Sequence, residues 1–187
     1  VSEGFVNADF DSLDPQFSNE RNSNHLFGAG LVELLAREMT TDLHSIRTTA
    51  LEQARSSQQP VKVELLSKGV SYGFITAQPD GVVDLSALQG IDTDLIIRPF
   101  SQKGVFASLR QFTINAMNQH HGMQAIERFG GRWTGEDDFD EDGIQNEMTP
   151  ADISALVAWQ ASLPPPIQKQ PEELSWQQAA NEGEKIF

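Results

Sequence analysis

The chain has no cysteine among its 187 residues. That excludes disulfides, thiolate metal sites, cysteine nucleophiles and iron–sulfur clusters. It also excludes covalent haem attachment through a CxxCH motif within this chain. Basic residues are scarce: 13 Lys and Arg stand against 27 Asp and Glu, for a formal net charge of −14. Such a chain repels phosphate backbones, which speaks against nucleic acid and anionic membrane surfaces as partners. Long apolar runs are missing too. Nothing approaches the roughly 20 apolar residues of a membrane span, and the start, "VSEGFVNADFDSLD", lacks the apolar core of a signal peptide. The motifs G-x-S-x-G, Walker A, Rossmann and zincin are all absent, so a hydrolase is the weakest of the function classes.

What is present suits a modest core. Hydrophobic residues make up 39% of the chain, with 11 Phe, 3 Trp and 1 Tyr. Residues 1–24 are polar and aperiodic, and read as an extended arm. "FGAGLVELLAREM" turns helical, with Leu31, Leu34 and Leu35 on one face. A second helix is expected to restart after Thr40 or Thr41 as N-cap, with Leu43, Ile46, Ala50, Leu51 and Ala54 as its stripe. From Pro60 the β-branched runs around Gly69, Gly73 and Pro79-Asp80-Gly81 predict a hairpin plus an added strand. "TDLIIRPF" reads as a further extended run. "GVFASLRQFTINAM" predicts a helix over 104–117, and "MQAIERFG" a short helical run.

Residues 130–148 are a Gly- and Asp-rich loop. The best-marked helix follows at 150–163: Thr149 can cap it, Pro150 suits its first turn, and Asp152 favours the positive end of its dipole. It stops at Pro164-Pro165-Pro166, a stiff linker, and "SWQQAANEGEKIF" predicts a last amphipathic helix with Trp176, Ala179, Ala180 and Ile186. The expected fold is mainly helical, with a small antiparallel β element and long loops.

Two stretches carry chemistry. In "DDFDEDGIQNEMT" the carboxylates of Asp138, Asp140 and Asp142 alternate and Gly143 follows. That D-x-D-x-D-G spacing resembles the first half of an EF-hand loop, in which alternate carboxylates converge on calcium and Ile144 would offer its backbone carbonyl. The bidentate Glu of position twelve is missing, because Thr149 stands there; Glu147 or Asp152 would have to substitute. A solvated acidic loop is the alternative. In "NQHHGMQ", His120, His121 and Met123 are all side chains that bind haem iron. Adjacent helical residues point about 100° apart, so one imidazole would bind and the other support it. An ordinary helix end is the other reading. His25 and His44 lack partners at metal-ligand spacing and read as structural or exposed. Trp133 reads as a buried aromatic.

Several phrases resemble one family. "RNSNHLFGAGLVE", "GVSYGFITAQPDGVVD", "DTDLIIRPFSQKGVFASLRQFT", "NQHHGMQAIERFG", "DDFDEDGIQNEMTPADISALVAWQASLPPP" and "NEGEKIF" are similar, in this order and over roughly 4–187, to bacterial di-haem oxidoreductases, relatives of the di-haem cytochrome c peroxidases. The resemblance implies cytochrome c peroxidase-like helical elements, an exported or periplasmic protein, and two c-type haems on CxxCH motifs. This chain departs from the pattern by having neither motif. "NEGEKIF" looks like the helix that precedes the C-terminal motif. The chain is therefore expected to be the segment between two attachment sites. Residues 1–163 would form the inter-haem segment, and 164–187 a linker and helix leading into a C-terminal cytochrome c domain. The resemblance also implies haem-facing roles for His120, His121 or Met123, and calcium held between haem domains by Asp138, Asp140, Asp142, Ile144 and Glu147. The implied partners are the haem domains of a longer parent and a small redox donor protein or small-molecule oxidant. The competing expectation is a non-catalytic, calcium-stabilised binding module without haem.

Overall fold

The computed structural model describes residues 25–101, 104–139 and 141–186. They form four helices and a three-stranded antiparallel sheet. The expected arm at 1–24 lies outside the described residues.

Helix α1 runs unbroken over Ala29–Ser57. The expected restart at Thr40 or Thr41 is wrong, and the threonines show why. The Thr41 hydroxyl donates back to the Arg37 carbonyl, and that of Thr48 to the His44 carbonyl. Each hydroxyl is satisfied one turn back, so neither competes for the helix backbone. Thr40 Oγ1 instead accepts from the Ile97 amide at 3.0 Å, tying a distant loop to the helix.

Strands β1 (Val61–Ser67), β2 (Val70–Ala77) and β3 (Val83–Asp84) follow as consecutive hairpins in the order β1-β2-β3. Val63 stands opposite Ile75, and the register slips at a bulge around Leu65. The Pro79-Asp80-Gly81 turn joins β2 to β3 as its sequence suggests, closed by Gln78 N–H to the Val82 carbonyl. Alternate β1 residues turn toward α1, so Leu43 packs with Leu65, Ile75 and Leu95, while Ala50 and Ala54 meet Ala77. The expected run at "TDLIIRPF" forms no strand. It wraps the sheet as a loop, drives Leu95 into this core and ends in a bridge from Phe100 to Phe106.

Helix α2 spans Leu109–His121, later at both ends than the expected 104–117. Its start is fixed by two caps. Ser108 Oγ accepts from the Gln111 amide, and Glu33 of α1 reaches over to accept from the Leu109 amide at 3.1 Å. Helix α3 spans Pro150–Ser162 behind a full Thr149–Asp152 capping box. The two pack through Ile114, Ala125, Phe129, Met148 and Ile153, and through a buried hydrogen bond from Thr113 Oγ1 to Gln160 Oε1 at 3.0 Å. Helix α1 reaches this unit at its N-terminus. Gly30 passes so close to α3 that a Cβ would lie 2.4 Å from the Ala161 carbonyl oxygen. Ala29, Phe100 and Leu109 seal that junction with Phe106 and Phe112.

Helix α4 (Leu174–Ile186) has no buried residue. Apolar surface near the start of α1 is also uncovered: Phe27, just ahead of the helix, and Leu31, Leu34 and Leu35 within it are about half exposed, although Leu35 stands one turn before the buried Met39. The expected apolar stripe of Leu31, Leu34 and Leu35 is thus present, but much of it is left exposed. No helix among the described residues is long and apolar enough to cross a membrane.

Candidate functional site

The chemistry-bearing stretches fall around the end of α2 and the loop that returns to α3. His120 and His121 occupy the last turn of α2, where Gly122 takes a left-handed φ of 68° and closes the helix by donating to the Asn118 carbonyl. Only glycine adopts this conformation without strain, so "HHG" is a helix stop built into the sequence. Both imidazoles are exposed, their ring centroids 6.5 Å apart and their planes 70° from parallel. They diverge, as neighbours on a helix must, and do not converge on one ion.

Met123 goes the other way. It packs against the cluster of Ile114, Ala125, Phe129, Met148 and Ile153, with Met117 beside it. Its side chain is partly buried there, unlike the two exposed imidazoles. The segment "MQAIERFG" is not a helix but a turn, because Ala125 is drawn into a parallel bridge with Met148.

That bridge is the base of the acidic loop. The Met148 amide donates to the Gln124 carbonyl and the Ile126 amide to the Met148 carbonyl. Glu147 Oε2 accepts from the Gln124 amide at 2.7 Å, and Gln124 Oε1 accepts from the Phe139 amide. Glu147 is therefore committed through one oxygen to pinning the loop. A second tie lies below it. The Arg110 guanidinium forks onto the Glu127 carboxylate, with Nε 2.7 Å from Oε2, and reaches Ser154 and the Pro150 carbonyl. This hydrogen bonding holds Arg110 still more firmly protonated than usual. It joins α2, the 122–129 turn and the start of α3.

Within the loop, Asp138 Oδ2 accepts from the Gly143 amide at 3.0 Å, and Asp142 Oδ1 accepts from the Ile144 amide at 2.7 Å. The other Asp138 oxygen, Oδ1, is buried with no hydrogen-bond partner. An orphaned carboxylate oxygen is the atom a cation would satisfy. The Ile144 side chain is exposed. Asp140 lies outside the described residues, and among the described residues no three His, Cys, Asp or Glu side chains group closely enough to hold a metal. Asp138 therefore fits a cation, whereas Asp142 and Glu147 are each partly engaged by backbone amides.

Trp133 is exposed, not buried as expected; it is covered on one face by the Arg132 guanidinium, 4.7 Å from its ring. His44 keeps a structural role, with Nε2 2.9 Å from the Asp94 carbonyl. Arg98 grips Asp92 and Asp94 in the same loop, and its hydrogen bond holds the Asp94 carboxyl below the usual range. The residues that shape the site and escaped the sequence reading are Gln124, Arg110 and Glu127. Their partners lie 15 or more residues away, with no periodic or motif signal. Comparison with protein-family models, with curated proteins and with solved structures gives no match to this chain.

Proposed function

We propose that this chain is the segment between the two haem-attachment sites of a di-haem c-type cytochrome oxidoreductase with peroxidase-like electron transfer. It would supply contacts on the distal side of a haem and a calcium-binding loop, within cytochrome c peroxidase-like helical surroundings. The observation that carries this is how two of the family-like phrases meet. "NQHHGMQAIERFG" and "DDFDEDGIQNEMTPADISALVAW" are separate in sequence yet form one unit, closed by Gln124, Ala125, Glu147 and Met148. That unit leaves His120 and His121 exposed on its rim.

The two imidazoles suit a haem held from outside this chain, since neither is spent on the core. A bound haem supplies the electron transfer and oxidant reduction, and the protein tunes it through ligation, hydrogen bonding and access. One histidine would offer a ring nitrogen and the other a hydrogen bond; Gly122 closes the helix end that presents them, and the Arg110–Glu127 pair ties the turn that follows back to the start of α2. Calcium, taken through Asp138 with Asp140 and Asp142, would neutralise the acidic loop and fix its shape. The uncovered apolar faces of α1 and α4 suit a chain whose haem domains pack over it. A small redox donor protein or small-molecule oxidant, and an exported or periplasmic location, belong to the same proposal.

Two measurements test it. Haem added to the purified chain should give a Soret shift that His120→Ala or His121→Ala removes and His44→Ala leaves. Equal behaviour of all three variants ends the ligand role. Calorimetric titration with calcium chloride should show binding that Asp138→Asn abolishes. No heat in the unaltered chain removes the calcium site.

A further inference from the structure

The two edges of the sheet are treated differently. Beyond β2, the edge is covered: β3 pairs with its end, and residues 87–89 continue along it, with the Phe74 amide donating to the Ala87 carbonyl and the Gln89 amide to the Tyr72 carbonyl. Gly73 makes this possible, since a Cβ there would lie 2.1 Å from the Ala87 carbonyl oxygen. The opposite edge is β1, seven residues long, and among the described residues nothing pairs with its outer side. Unpaired strand edges are templates for another strand.

The sequence of β1, "VKVELLS", has a property that selects the strand. Lys62 and Glu64 are both exposed, on the face away from α1, and flank Val63. Antiparallel pairing of two such strands about Val63 sets each Lys62 opposite the Glu64 of the second copy. On the inner face, the two half-buried Val63 side chains then meet, and each Val61 stands opposite the backbone of the second copy's Leu65, whose own side chain stays in its core. The segment is complementary to itself in charge and hydrophobicity, in one register. The bulge at Leu65 and Pro60 limit pairing to this stretch. Beside the edge runs a groove of about 410 Å³ between α1 and β1, lined by Ser45, Ile46, Thr49, Gln53, Val63 and Leu66 among others. Ser45, Thr49 and Gln53 fall at successive helical turns, leaving room for the helix of a second copy above the joined sheet.

We propose that the β1 edge is a self-association surface, on which two copies of this chain pair antiparallel through Val61–Leu65 into one continuous sheet. The contact is isologous: the same residues serve on both sides, and the pairing closes at two copies.

Sedimentation of the full chain over micromolar to submillimolar concentrations tests it. The expected species is a concentration-dependent dimer. Lys62→Glu and Glu64→Lys should each weaken it by about tenfold or more, because both cross-strand pairs become like-charged. Mixing these two variants should restore a dimer, since each supplies the charge the other lacks, and so should the doubly exchanged chain. Far-UV circular dichroism confirms that each variant is folded. A monomer at every concentration overturns the proposal, and so leaves the edge to another segment or partner. A dimer indifferent to both reversals overturns it as well. If that dimer is lost on Leu34→Glu, the contact is the apolar face of α1.

Discussion

The half of the molecule built on α1 and the sheet and the half built on α2, the acidic loop and α3 are held together by different means. In the first, regular elements supply their own backbone hydrogen bonds, and the core is a layer of aliphatic side chains between a helix and a sheet. In the second, the described residues between Phe129 and Met148 form no helix or strand. Their shape depends on a few side chains that reach backbone groups: Glu147, Gln124, Asp138 and Asp142. The candidate ligands for haem iron and calcium all come from the sequence of the second half. A loop fixed by discrete ties can present polar atoms that a packed layer would have to satisfy internally. The orphaned Asp138 oxygen is such an atom.

The deepest way to break the comparison is in the layer. Leu43 is fully buried against Leu65, Ile75 and Leu95. Leu43→Ala should cost about 3 kcal/mol through lost burial and the cavity left behind. Urea denaturation followed by circular dichroism measures this. The single tyrosine, Tyr72, is in the sheet, and all three tryptophans are outside it. Tyrosine and tryptophan signals therefore follow the halves separately. Helix α1 spans both, capping α2 through Glu33 and crossing α3 at Gly30, so the two transitions should coincide and shift together. A tryptophan transition left in place by Leu43→Ala would show that the halves unfold independently.

A middle-sized effect sharpens the other side. Glu147→Gln keeps an acceptor but replaces a charge-assisted bond to the Gln124 amide with a neutral one. The expected loss is about 1 kcal/mol, confined to the loop. Hydrogen exchange should quicken at Gln124, Phe139 and Met148 and stay unchanged at Ile75. Faster exchange throughout the sheet would mean that the Glu147 tie stabilises the whole fold and not the loop alone.

The same contrast decides what could be seen in the sequence. Short-range chemistry was legible. The Thr149-Pro150-Asp152 start of α3, the Pro79-Asp80-Gly81 turn, the hairpin with an added strand and the amphipathic α4 each rest on residues within a turn of one another. Long-range compensation was not. The Thr40-Thr41 pair reads as a helix break unless Ile97 is known to be the partner of Thr40. The start of α2 reads five residues early because Val105 and Phe106 continue the apolar spacing, while Phe106 is bridged to Phe100. Trp133 reads as core on hydrophobicity alone, yet it lies outside, stacked by its neighbour. Of the candidate site, "HHG" as a helix end and the acidic turn about Gly143 were legible. The bridge that unites them, and the packing of Met123 against the core, depend on pairings across the loop.

The smallest effect concerns acid, and it sets one carboxylate from each half side by side. The Asp152 carboxyl is held below its usual range first by the Thr149 hydroxyl and then by the Thr149 amide. The Asp94 carboxyl is lowered chiefly by its hydrogen bond from Arg98. A carboxyl depressed in the folded state contributes stability above its unfolded value, near pH 4 for Asp, and loses it as pH falls through the folded value. Both contributions are therefore present at neutral pH and disappear in the acid range below about pH 4. Thr149→Ala removes the hydroxyl's share of the first together with the helix cap, and leaves the amide's. Arg98→Met removes the larger part of the second. Each variant should then show a shallower fall of melting temperature between neutral and acid pH than the unaltered chain, because it has less left to lose. Parallel acid profiles for the variants and the parent would show that neither carboxylate is linked to folding in this way. A flattened profile for Thr149→Ala alone would place acid sensitivity in the half that carries the candidate site, where the fold depends on single polar ties.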